Sequence, residues 1–268
     1  MSRRLLVAAC CCAALGVALP AAAGGPPQGI SSDGYGITSP DGKLRYLALS
    51  SVSQTMVEAV NTRDGSLVTY ASLRGNFAIP AIAWTATGLS ADGKTLVVTT
   101  NPWLPDPTFV AFKDPYLDRK RVVRLNGNWS FDALSPRGRW LYLIQALPKN
   151  RYLVRAYDLK RGRLLTRVIA DRREADGPMT GAPITRATSR DGRWAYTLYV
   201  RADSTAFVHA LDTVHVEAVC VDLPWKDVSG WIWDTRLRLS RDGSKLTLKQ
   251  FGGRNYAVVD TRSWKVTT

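Results

Sequence analysis

Cysteine and histidine are scarce in this chain, four and two among 268 residues. Cys10, Cys11 and Cys12 stand together near the N-terminus. Cys220 is therefore alone in the rest of the sequence, and no intramolecular disulfide framework is available. It sits in the apolar run HVEAVCVDLP and reads as a small buried hydrophobe. His209 and His215 lack Cys or Glu neighbours at ligand spacing, so no metal site is assigned. H-E-x-x-H, G-x-S-x-G, a P-loop and a Rossmann fingerprint are all missing, which leaves no catalytic residue and no cofactor to assign. Helix-period stretches with caps are missing as well, because Pro and Gly interrupt too often.

Long apolar runs are limited to one. Leu5 to Leu19 follows Arg3 and Arg4, is broken by Pro20, and leads to Ala21, Ala22 and Ala23. A basic start, a short apolar run and small residues predict a signal peptide over 1–23, cleaved after Ala23. Export to the periplasm or the exterior is then expected. Val7-Ala8-Ala9-Cys10 resembles a lipobox, but it leaves only Leu5 to Ala9 as apolar segment, so lipidation of Cys10 is the lesser reading. No later stretch is long enough to span a membrane. The formal charge of +14, from 36 basic and 22 acidic residues, falls to +12 once Arg3 and Arg4 leave. Such a balance favours anionic surfaces, and an anionic envelope polymer is a candidate partner. The basic residues are scattered rather than blocked, so no nucleic-acid partner is inferred.

What the sequence has in abundance is repetition. SPDGKLRYLAL (39–49), SADGKTLVVTT (90–100), SPRGRWLYLIQ (135–145), SRDGRWAYTLY (189–199) and SRDGSKLTLKQ (240–250) share a turn followed by alternating apolar residues. Asp-Gly between two such runs is a hairpin signal, because Gly accepts positive φ and Asp bonds its own backbone. The third copy has Arg137 in place of the acid. A second marker, Asn61, Lys113, Asp158, Asp212 and Asp260, follows each opening serine by 22, 23, 23, 23 and 20 residues. Each unit thus holds four strands. Four strands in a period near 50 residues predict an all-β fold, a five-bladed β-propeller with four antiparallel strands per blade. It would occupy 34–268 with repeat turns at 39–42, 90–93, 135–138, 189–192 and 240–243, after a segment at 24–33. The ring is expected to close by packing of first on last blade, unless residues 26–32 add a strand to the last one.

These S-x-D-G turns, followed by strands that end in Asp-Thr, resemble the YVTN and WD-type propeller repeats, although no unit carries a complete Y-V-T-N. The resemblance implies a fold shared by docking platforms, lectins, lyases and lactonases, and leaves activity open.

Candidate site residues come from differences between units. Three of the four links from the second marker to the next serine run 28 to 31 residues, against 22 in the shortest. Long links on one face suit a binding surface. They carry Trp84, Trp231, Trp233, Asp234 and Arg236, with Trp129 at the repeat position of Trp84. Three before the serine stand Asp132 and Arg186 in consecutive units, placed to pair with each other or to meet a ligand. The expected function is a secreted or envelope binding module with a protein, glycan or small-molecule site at the channel mouth. The alternative is a propeller enzyme, lactonase-, lyase- or glycan-cleaving-like, on the same face.

Overall fold

The structure is a computed structural model and describes residues 28–31, 36–82, 85–101, 104–171, 177–250 and 252–268. The expected signal peptide and Trp84 lie outside the described residues. β1 (Gln28–Ser31) precedes the repeats. The first unit gives β2 (Ile37–Thr38), β3 (Leu44–Ser50), β4 (Gln54–Asn61) and β5 (Leu67–Arg74). A short hairpin, β6 (Ile79–Ile82) and β7 (Thr85–Ala86), comes before β8 (Leu96–Thr99), β9 (Thr108–Phe112) and β10 (Lys120–Arg124). The third unit supplies β11 (Trp129–Leu134), β12 (Trp140–Leu147), β13 (Arg151–Asp158) and β14 (Arg163–Ile169), with β15 (Met179–Thr180) added beside β13. The fourth supplies β16 (Ala182–Thr188), β17 (Trp194–Val200), β18 (Ala206–Asp212) and β19 (Glu217–Asp222). The fifth supplies β20 (Thr235–Leu239), β21 (Lys245–Gln250), β22 (Asn255–Asp260) and β23 (Val266–Thr267).

Within every unit neighbouring strands pair in sequence order and antiparallel. The turns explain this regularity. In all five, the opening serine Oγ accepts the backbone N–H five residues on, at 2.8–3.0 Å. In four, the same hydroxyl donates to the aspartate, whose carboxylate also accepts the N–H two residues on. The third turn keeps the serine and the glycine and loses the acid. A threonine after the second marker locks one hairpin to the other: Thr62, Thr213 and Thr261 each donate to the carbonyl of their unit's turn glycine.

The second unit departs from the pattern. Its innermost strand is reduced to two bridges on β8, Ala78 to Thr99 and Leu89 to Leu96. The chain between them bulges out as the β6–β7 hairpin. β1 pairs with β6, forming a separate three-stranded sheet, and not with the last unit. Gly88 permits the return: its φ is +94°, and a Cβ there would lie 2.9 Å from Val97 O.

Apolar side chains fill four successive seams. Tyr46, Val57 and Ile79 meet Val98, Val110 and Phe112 between the first two units. Val97, Phe109 and Ala111 meet Phe131, Leu141 and Leu143 in the next. Tyr152, Val154 and Ile169 face Tyr199, Phe207 and Ala218, and Leu198, Val208 and Val219 face Leu246, Leu248 and Val259. On the face of the first sheet turned away from the second, Leu49, Met56, Val68 and Tyr70 are between 39% and 58% exposed.

Candidate functional site

Segments of all five units meet at one cavity of about 530 Å³. Its wall runs from Phe131, Asp132 and Arg186, midway along the strands, to Pro40, Ala91 and Arg190 in the repeat turns. The cavity therefore lies toward the turn end of the innermost strands. Hydroxyls ring it: Thr38, Thr87, Ser90, Thr188, Ser189 and Thr213. Arg190 and Arg238, both exposed, stand in its wall.

Asp132 and Arg186 form a buried ion pair across consecutive units, with side chains 1% and 5% exposed. The Arg186 guanidinium donates to both the backbone carbonyl and the Oδ1 of Asp132, and its Nε donates to Thr197 Oγ1 at 2.8 Å. A β-bulge in β11 between Phe131 and Ala133 turns Asp132 into this position. Asp132 Oδ2 has no hydrogen-bond partner among the described residues.

Behind the pair a polar row crosses the fourth sheet. Arg186 pairs in register with Thr197, Thr197 with His209, and His209 with Cys220. Residues directly opposite one another share a face, so the row runs from channel to outer strand. His209 is buried, with Nδ1 3.6 Å from Cys220 Sγ. Burial disfavours the imidazolium and pushes the His209 pKa down to about 4, against a smaller opposing pull from Asp132. Cys220 is half-buried rather than a simple core residue, and its N–H donates to Asp171 Oδ2 at 2.8 Å. Tyr199 stacks between Tyr152 and Phe207 beside this row, and burial raises its hydroxyl pKa.

The other sequence-derived residues are dispersed. Trp129 is built into the core between the second and third units, its indole N–H donating to Asn126 O at 2.9 Å. Trp231 is half-buried against Trp225 and Tyr256. Trp233 is 56% exposed at the link end, beside Lys149, Gly181 and Arg201. Asp234 is exposed there, and Arg236 donates back to the carbonyls of Trp233 and Thr235. So the structure brings Asp132 and Arg186 together in the cavity, and leaves Trp233, Asp234 and Arg236 at the opposite end of the strands.

Sequence reasoning missed the turn-end residues Arg190, Arg238 and Arg241. A signal was present. The second position of the repeat turn reads Pro40, Ala91, Pro136, Arg190, Arg241, so two adjacent units break the small-residue pattern.

No protein-family model matches the sequence, and no curated protein matches it. Solved structures do. The Dos1 propeller has a TM-score of 0.53 and 13% identity, over 88% of this chain and 57% of its own. For the periplasmic gluconolactonase PpgL of Pseudomonas aeruginosa the values are 0.51 and 18%, over 87% and 68%. For the putative TolB of Agrobacterium tumefaciens they are 0.50 and 16%, over 90% and 80%. Identities this low carry the fold alone, and that fold is a β-propeller of antiparallel sheets.

Proposed function

We propose that the chain is an exported, five-bladed propeller of YVTN or WD type that binds a small anionic, hydroxyl-rich ligand in its central cavity. The blade count is supported by the five repeat turns and by the five units that contribute to one cavity wall. Export is supported by the basic, apolar and small-residue order of 1–23. The observation that carries the binding reading is the chemistry of the wall. Among the described residues it offers the hydroxyls of Thr38 and Thr188 and the guanidinium groups of Arg190 and Arg238, while Thr87, Ser90, Ser189 and Thr213 are bonded within the fold and its one carboxylate, Asp132, is tied to Arg186. General acid–base work needs an ionisable group free to exchange a proton with substrate. A concave wall with a few convergent polar groups suits recognition, and the cavity reads as a binding site before it reads as an active site.

A thermal-shift screen of sugar acids and other small hydroxy-carboxylates on the mature protein tests this, since a ligand specific to the native state raises its Tm. The hit is then titrated by calorimetry against Arg238→Gln and Thr38→Val, two exposed wall residues whose side chains make no hydrogen bond among the described residues. Each variant is expected to bind about tenfold more weakly, which corresponds to roughly 1.4 kcal/mol. Unchanged affinity in both variants overturns the cavity assignment. The link-end residues Trp233, Asp234 and Arg236 form the competing site, and Trp233→Ala is the parallel control.

A further inference from the structure

The turn end has a second recess, beyond the cavity wall. The first four repeat turns tile against one another. A Cβ on Gly93 would stand 2.9 Å from Pro40 Cδ, and one on Gly192 2.7 Å from Ala91 Cβ. A Cβ on Gly138 would overlap Thr95 Oγ1, and Asp92 N–H donates to Pro136 O at 3.0 Å. The small residues at the second turn position are therefore packing residues. A Cβ on Gly42 of the first turn or on Gly243 of the fifth would meet nothing within 4 Å, but the first turn touches the second through Pro40, whereas no glycine contact of this kind joins the fifth turn to its neighbours. Between it and the fourth turn lies a groove of about 760 Å³, and here the second turn position is Arg190 on one bank and Arg241 on the other.

The groove is cationic in a specific way. Its lining holds four arginines, Arg190, Arg193, Arg241 and Arg262, against Asp191 and Asp242. Both acids are exposed, but each is bonded within its own turn. Asp191 accepts from Ser189 Oγ and Arg193 N–H, and Asp242 accepts from the Ser240 and Ser244 hydroxyls and Ser244 N–H. Arg193 is bound to Asp212 at 2.8 Å. The guanidinium groups of Arg190, Arg241 and Arg262 make no hydrogen bond or ion pair among the described residues, and all three residues are exposed. A residue that the fold demands recurs in each unit. Arg190 and Arg241 break that rule in two adjacent units, on the two sides of one groove.

We infer that this groove docks an acidic peptide segment of a partner protein. Three planar guanidinium forks along a channel match successive carboxylates bidentately. The groove's ring does not suit sugar stacking: Trp194 is stacked on Tyr196, edged by Trp264 and overlaid by Arg193. Charge recognition of an extended chain is what remains. Arg190 lines both the groove and the central cavity, whereas Arg241 and Arg262 line the groove and not the cavity, so variants at those two residues test the docking site apart from the cavity ligand.

Fluorescence anisotropy of a labelled ten-residue Asp/Glu peptide at 150 mM salt, with full-length mature protein, tests the assignment. Arg241→Glu and Arg262→Glu are each expected to weaken binding more than tenfold. Arg137→Glu, an exposed arginine on the third turn, is expected to stay within twofold. The double variant Arg241→Lys, Arg262→Lys keeps the charge and loses the forks, and it is expected to lose several-fold. Equal loss in Arg137→Glu would mean diffuse electrostatics and overturn the site. A polyuronate of matched charge that outcompetes the peptide would make the occupant a polysaccharide and overturn the peptide assignment. Absence of peptide binding by the unmodified protein overturns it as well. Unaltered thermal melts of the variants, whose side chains have no structural partner, secure the comparison.

Discussion

At the scale of single residues, the deepest polar groups are the ones whose environment is most demanding. Asp132 and Arg186 are both buried, so either alone would be an uncompensated charge. Asp132→Asn or Arg186→Met is expected to destabilise by about 3–5 kcal/mol, while the pair Asp132→Leu, Arg186→Met costs far less. Urea denaturation of the three variants checks this, and additive losses would contradict it. His209 adds a pH dependence. Below pH 6.5 the unfolded chain binds a proton that the native chain refuses until about pH 4, so stability falls as the medium is acidified through that window. For a group this buried the loss by pH 4 amounts to about 3 kcal/mol. At Asp212, burial opposes ionisation, but hydrogen bonds from Arg193 and His215 outweigh it and hold the carboxyl below its ordinary range. Its contribution is therefore lost only at lower pH. His209→Gln is expected to flatten the stability profile between pH 4 and 6.5, and an unchanged slope would show that the proton uptake lies elsewhere.

At the scale of elements, the repeat turn is the unit of construction, and it was legible. Serine, aspartate and glycine each have a backbone task in the structure, and a residue with a local task leaves a periodic trace. Arg137 is the exception that permits a test. Ser135 Oγ still accepts from Trp140 N–H, yet no carboxylate receives its proton as in the other four turns. Arg137→Asp restores that bond and an acceptor for the Arg139 N–H, and it is expected to raise stability by about 0.5–1.5 kcal/mol. A lower Tm would refute the account of the turn. The β6–β7 hairpin was not legible in the same way. IPAIAW is apolar and strand-like, so its pattern fits an innermost strand as well as an inserted hairpin. What sets them apart is the pairing of β1 with β6, Ile30 opposite Pro80, a contact between distant residues that periodicity does not report. The ion pair of Asp132 and Arg186 was foreseeable because both residues hold one repeat position. The arginine groove was not, since its existence depends on the fifth turn standing away from the fourth.

At the scale of the whole molecule, equal repeats do not occupy equal surroundings. The third and fourth sheets carry apolar seams on both faces, whereas the first sheet buries Tyr46, Val57 and Ala59 on one face and exposes Leu49, Met56, Val68 and Tyr70 on the other. The sequence treats these units alike, because alternation marks a strand without saying what covers each side of it. Stability should then be graded along the chain. Strands buried on one face lose less on local opening, and their amides exchange through openings cheaper than global unfolding. Hydrogen exchange is expected to be faster in β3, β4 and β5 than in β12, β13, β17 and β18. Met56 should be oxidised by dilute peroxide before the fold is lost, since its thioether is reachable in the native state. Protection of β3 to β5 equal to that of β17 and β18, together with a Met56 that reacts only on unfolding, would mean that the outer face of the first sheet is covered in solution.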